Sequence, residues 1–160
     1  MKAAAVVINE SDTEGIKDHG RLTERIRSTL RHCRESNVDI VVFPALLGCL
    51  YGDGDHFLED IMKLSLEYEG MVICPGSYYE KAYDGIYHSS CLIADGSIIL
   101  RQRQLYLAKW EKEKGLSRGT SLGYAVVKGL KTALIISTDL FYPQVSRAAA
   151  MSGAELVLAP

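Results

Sequence analysis

The chain has 160 residues, of which 48% are hydrophobic and 24% charged, enough for one domain with a buried core and ordinary for a globular protein. Its net charge of −2 gives no electrostatic reason to expect nucleic acid or an anionic membrane surface as a partner. The densest basic pair, Arg101 and Arg103, fits a solvated strand face better than a phosphate track.

Residues 3–8 form a continuous apolar run of strand length, followed by the polar stretch Asn9-Glu10-Ser11-Asp12. That run is too short for a signal-peptide core with its cleavage site and far too short to span a bilayer, so the expectation is a cytoplasmic protein. After Gly20, the residues Leu22, Ile26, Thr29, Leu30 and Cys33 recur at helical spacing, with Arg21, Glu24, Arg25 and Arg27 mostly on the other face. Asp39-Ile40-Val41-Val42-Phe43-Pro44 predicts a β-branched strand stopped by its proline. The spacing of Phe57, Ile61, Leu64 and Tyr68 predicts a second amphipathic helix over 53–69.

A short buried strand is expected at 71–74, ending in the turn Pro75-Gly76. The tyrosine-rich stretch 77–87 reads as a long surface hairpin with its rings on the sheet edge, or else as the mouth of a ligand site. Two apolar runs joined through Asp95-Gly96 signal a hairpin over 88–102, and 124–127 with 131–137 repeat the theme around Lys128-Gly129-Leu130. Pro143 opens a predicted helix to 152, Gly153 stops it, and a last strand is expected at 155–159. Apolar strands alternating with amphipathic helices define an α/β class in one domain spanning 1–160. Cys33, Cys49, Cys74 and Cys91 have no close-spaced motif and read as free thiols. Neither the cysteines nor the histidines cluster as a zinc site would require, so no metal and no cofactor is expected. Gly48, Gly52 and Gly54 lack the lysine and the strand-to-helix spacing of a phosphate loop.

Four segments, in order, resemble the nitrilase or carbon–nitrogen hydrolase superfamily. Val38-Asp39-Ile40-Val41-Val42-Phe43-Pro44-Ala45 is similar to the family's Ala-Asp pair, apolar strand and Phe-Pro-Glu. Asp95-Gly96-Ser97, the strand after it, and Arg103-Gln104-Leu105-Tyr106-Leu107 resemble Asp-Gly, a strand and Arg-Lys-x-His-Leu. Ile135-Ile136-Ser137-Thr138-Asp139, followed by Phe141-Tyr142-Pro143-Gln144, is similar to Ile-Cys-Tyr-Asp followed by Phe-Pro-Glu. Finally, residues 146–160 resemble the family's Arg-x-Leu-Ala-x-x-Gly-Ala-Glu segment ending in proline. The resemblance implies an α-β-β-α sandwich, truncated relative to the family. The expectation is a piece of a longer product or a half-length protein with an altered second layer. The second case leaves apolar sheet surface uncovered and predicts a homo-oligomer.

The resemblance also implies a chemistry: a cysteine thiolate attacks the carbon of an amide or nitrile, a glutamate moves the proton, and a lysine stabilises the developing charge. At the matched positions stand Ala45 for glutamate, Gln104 for lysine and Ser137 for cysteine. A methyl group moves no proton, a carboxamide carries no charge, and a hydroxyl without a base is a weak nucleophile. A fourth family carboxylate, which helps position substrate, has Glu111 and Glu113 as candidates; the alternative for Trp110-Glu111-Lys112-Glu113 is a solvated charged turn. The expectation is therefore a non-catalytic nitrilase-like protein, a ligand- or protein-binding or assembly module. Any ligand pocket would involve Ala45, Gln104, Glu111, Glu113, Ser137 and Thr138. The alternative is an amidase-type hydrolase of non-peptide C–N bonds with relocated chemistry at Ser137, served by Asp139 and His88.

Overall fold

The computed structural model describes residues 1–8 and 19–160; the polar stretch at 9–12 lies outside the described residues. The elements, in chain order, are β1 (Ala3–Ala5), α1 (His19–Glu35), β2 (Ile40–Val42), α2 (Gly54–Ser65), β3 (Val72–Cys74), β4 (Ser77–Ala82), β5 (Gly85–Ala94), β6 (Ser97–Arg103), α3 (Lys109–Glu113), β7 (Tyr124–Val127), β8 (Leu130–Leu134), α4 (Pro143–Met151) and β9 (Leu156–Leu158). Tight 3-10 turns occupy Leu47–Tyr51, Leu66–Tyr68 and Ser137–Phe141.

The apolar stripe of α1 is buried as its spacing requires, with Leu22, Ile26 and Leu30 at 2% exposure or less, each such side chain contributing about 1.5–3 kcal/mol by leaving water. The predicted helix over 53–69 is α2 plus a 3-10 turn. Asp53 stays outside as the N-cap, accepting from the backbone N–H groups of Asp55 and His56 and so satisfying two orphan donors of the first turn.

Among the described residues nine strands form two sheets. In the first, β1, β2 and β3 run parallel, β3 pairs antiparallel with β5, and β4 and β6 pair antiparallel with β5 on its two sides. In the second, β7 and β8 form the predicted hairpin and β9 adds parallel to β8. The layer order follows from the cores. The outer face of the first sheet packs on α1 and α2 through Leu22, Ile26, Phe57, Ile61, Tyr78, Cys91 and Ile93. Its inner face meets the second sheet through Ile40, Val72, Leu92 and Leu100 against Val127, Leu134 and Leu158. On the far side of the second sheet, Ala133 and Ile135 pack on Val145 and Ala149 of α4. The arrangement is an α-β-β-α sandwich.

The tyrosine-rich stretch is the β4–β5 hairpin, but it is not a surface feature. Tyr78 and Tyr87 are buried, and only the turn residue Tyr83 is fully exposed. Although β4 ends the first sheet, α2 and the Leu47–Tyr51 turn pack over the face that carries Tyr78, and the Arg103 guanidinium covers the Tyr87 ring. Gly76, at φ +87°, makes the β3–β4 turn possible, since a Cβ there would collide with the Pro44 carbonyl. Among the described residues no helix is long and apolar enough to cross a membrane.

Candidate functional site

The alternation of β4, β5 and β6 places Ser77, His88, Ser90, Gln102 and Gln104 on the face toward the second sheet, because directly paired residues share a face and side chains alternate along each strand. At the end of β6 these polar groups meet α3 and the turn that follows β8. Gln104 and Glu111 have no solvent exposure, and neither has His88.

His88 stands at the centre. Its Nδ1 lies 2.6 Å from Gln104 Oε1 and 2.7 Å from Glu111 Oε1. Both are acceptors, so Nδ1 carries the proton. Its Nε2 lies 2.6 Å from Ser77 Oγ, which already accepts the Leu46 backbone N–H at 2.7 Å. The Ser77 hydroxyl proton is thus free to point at Nε2, giving a relay from Leu46 N–H through Ser77 and His88 to Glu111. Leu46 reaches this position in a left-handed conformation, φ +61°, immediately after Ala45.

Gln104 closes the other side. Its Nε2 donates toward Thr138 Oγ1 at 2.7 Å, the Tyr106 carbonyl at 2.9 Å and Glu111 Oε2 at 3.0 Å. Thr138 in turn donates to the Tyr106 carbonyl. Glu111 Oε2 also accepts the Ala108 N–H at 2.7 Å, capping α3 from its first turn. Every polar atom of Gln104 and Glu111 is engaged inside the protein.

The structure therefore brings Gln104, Glu111 and Thr138 into one hydrogen-bonded cluster, joined through Ser77 to the residue after Ala45. Ser137 is adjacent, half-buried and left-handed at φ +49°, its N–H directed at the Pro160 carbonyl. Three expectations need correction. Glu111 is not part of a solvated turn, because α3 turns it inward onto His88. Glu113 lies outside the cluster, exposed on α3 and 3.8 Å from Lys109 Nζ. The Ser137–His88–Asp139 arrangement is not assembled either. Both nitrogens of His88 are occupied elsewhere, and the Asp139 carboxylate accepts the backbone N–H groups of Leu105 and Tyr106. Burial pushes the Asp139 carboxyl above its ordinary range, against the opposing pull of those two bonds.

The residues that sequence reasoning undervalued are His88 and Ser77. Their signal is polar side chains at alternate positions of otherwise apolar strands, all facing one layer. The cysteines are free, and burial raises the thiol pKa of all four, that of Cys74 to about 11, which leaves little thiolate at neutral pH. Among the described residues no group of three or more acidic, histidine or cysteine side chains could hold a metal ion.

The carbon-nitrogen hydrolase family matches residues 2–160 of this sequence. The chain belongs to that family. No curated protein matches it significantly. Among solved structures, a carbon–nitrogen hydrolase from Helicobacter pylori superposes with a TM-score of 0.76 at 20% identity, over 89% of this chain and 55% of that one. Nit3 of Saccharomyces cerevisiae, described as a member of branch 10 of the nitrilase superfamily, gives 0.74 at 21% identity, over 89% and 59%. An amidase from a Nesterenkonia species gives 0.80 at 18% identity, over 90% and 59%. The chain thus spans somewhat more than half the length of these neighbours, and the shared feature at such identities is the nitrilase fold.

Proposed function

We propose that this chain is a non-catalytic carbon–nitrogen hydrolase relative serving as a binding or assembly module. The observation that carries the reading is the saturation of the cluster around Gln104: Glu111, His88, Thr138 and Gln104 satisfy one another and leave no buried group free to receive a substrate carbonyl. Ala45 supplies no carboxylate for proton transfer, and Gln104 no positive charge for a developing oxyanion. Ser137 has neither His88 nor Asp139 as a base. Because Gln104 and Glu111 have no exposure, the saturated interior favours a protein partner over a small molecule. Exposed Val126, Phe141 and Met151 near the second sheet and α4 support self-association through that layer.

The test is ammonia release from short aliphatic amides and nitriles, with sedimentation of the same sample. The expected result is no turnover above background and a homo-oligomer at micromolar concentration. The left-handed Ser137, opening the turn that follows β8 beside the inner cluster, favours a second reading as an amidase with relocated chemistry. Slow hydrolysis that disappears in Ser137→Ala would establish that reading and remove the first. A clean monomer at high concentration would remove the assembly component.

A further inference from the structure

The opposite face of the same strands carries a second charged cluster. Glu80 of β4, Tyr87 and Ser89 of β5, and Arg101 and Arg103 of β6 point away from the second sheet. Glu80 is 6% exposed. It accepts from Arg103 Nη2 at 2.8 Å and Nε at 3.2 Å, from Arg101 Nη1 at 3.3 Å and from Ser89 Oγ at 2.6 Å. The Arg103 guanidinium also lies 3.8 Å from the centroid of the Tyr87 ring. It is thus fixed on one plane by the ring and on one edge by the carboxylate. Among the described residues Arg103 Nη1 and Arg101 Nη2 have no protein acceptor.

These groups border a cleft of about 320 Å³ along the edge of β6, whose opposite wall is Arg118 and the loop 119–123. The loop is held in place. Gln102 donates to the Ser121 carbonyl at 2.9 Å and accepts the Gly123 N–H at 2.7 Å, and the Gly119 N–H donates to the Gln104 carbonyl. A Cβ on Gly119 would lie 2.8 Å from the Arg103 carbonyl oxygen, so only glycine lets the loop approach this closely. Arg118 is exposed and also borders a neighbouring concavity of about 310 Å³ with Tyr106 and Thr120. Three guanidinium groups, Arg101, Arg103 and Arg118, face two carboxylates, Glu80 and Asp84, and the lone pairs of Glu80 are already taken by its four donors.

We propose that this cleft is a binding site for the oxyanion of a small molecule, a carboxylate or a phosphate group held between Arg103 and Arg118. Planar guanidinium forks match both groups. Glu80 and Tyr87 hold Arg103 in position beforehand, so little rotamer freedom remains to be lost on binding. The cleft volume corresponds to a small ligand. Catalysis at the inner cluster is not required, and the site stands or falls independently of the proposed function.

Titration of the full chain with inorganic phosphate, and separately with succinate, followed by the arginine Nε–Hε resonances and by calorimetry, tests it. Saturable shifts at Arg103 and Arg118 with either probe are expected, and the probe that binds more tightly identifies the oxyanion. Arg118→Gln, which removes an exposed side chain without touching the Glu80 network, should weaken binding about tenfold while leaving the melting temperature unchanged. Arg103→Lys keeps the charge but loses the fork, and should weaken binding comparably. No saturable shift with either probe, or an unchanged dissociation constant in Arg118→Gln, would overturn the assignment.

Discussion

Two polar clusters lie back to back on the β4–β5–β6 ribbon, separated only by the alternation of its side chains. The inner one, His88, Gln104, Glu111 and Ser77, is sealed between layers. The outer one, Glu80, Arg101, Arg103 and Tyr87, is sealed on the carboxylate side alone, with Arg101 and Arg103 at 40% and 33% side-chain exposure. The inner cluster has no solvent exposure and its partners are fixed, so removing one group leaves buried partners to find a replacement inside the protein. In the outer cluster, water and salt can replace a lost arginine contact. The same hairpin therefore carries one cluster that specifies structure and one that remains open to a ligand.

The largest expected effect tests the inner half of this contrast. Glu111→Ala takes one acceptor from His88 Nδ1 and from Gln104 Nε2, which keep Gln104 Oε1 and the Tyr106 carbonyl, and strands the buried Ala108 N–H. It should destabilise the protein by about 3–5 kcal/mol in urea unfolding, the sum of one unsatisfied donor and two lost bonds to a carboxylate. A loss below about 1 kcal/mol would mean that the cluster relaxes or admits water, removing the contrast. Glu80→Ala should cost less, about 1–3 kcal/mol, since its arginines are half in water. Arg101→Ala removes one 3.3 Å contact from a partly exposed side chain and should cost under about 1 kcal/mol, less still in molar salt.

The two clusters also predict opposite pH behaviour. Burial opposes ionisation of Glu80, but hydrogen bonds from Arg103 and Ser89 and the arginine charges outweigh it and hold the carboxyl below its ordinary range. With the folded pKa depressed, the unfolded chain takes up the proton first. This contribution is present above the unfolded value of about 4.3 and is lost as the pH falls through the folded one. Asp139, adjoining the inner cluster, is raised by burial. Its contribution is fullest at acid pH and declines as the pH rises from the ordinary carboxylate value through its own. Glu80→Gln should abolish the first component of the acid limb, measured as melting temperature against pH, and leave the second. An acid limb unchanged by Glu80→Gln would place the titration elsewhere.

The smallest effect concerns the turn at Ser137. If its hydroxyl has no role, Ser137→Gly should relieve the left-handed backbone and stabilise the protein by up to about 1 kcal/mol, read from the urea midpoint.

Much of this was legible from the chain itself. The apolar runs at 40–43 and 71–74, the helical stripe from Leu22 to Cys33 and the Asp95-Gly96 turn announced their elements, because burial periodicity is written locally. The collinear motifs around Pro44, Gln104 and Ser137 announced the family. Element ends were less visible: the helix predicted over 53–69 tightens at Leu66, and the strand predicted over 131–137 stops at Leu134, ahead of the turn at Ser137. Backbone conformation there is set by what packs against it.

Residue types and their spacing by themselves determined an α/β protein, and its collinear motifs carried the resemblance to the carbon–nitrogen hydrolase family. Only the tertiary structure decided that Glu111 turns inward while Glu113, two residues on, remains in water. It also decided that His88 bonds to Ser77, Gln104 and Glu111 and not to Ser137, and that Arg101 and Arg103 converge on Glu80. The physical reason is that these contacts join residues 11 to 23 positions apart, through strand register and layer packing. Local sequence fixes which face a side chain takes, but not which partner from another element meets it there.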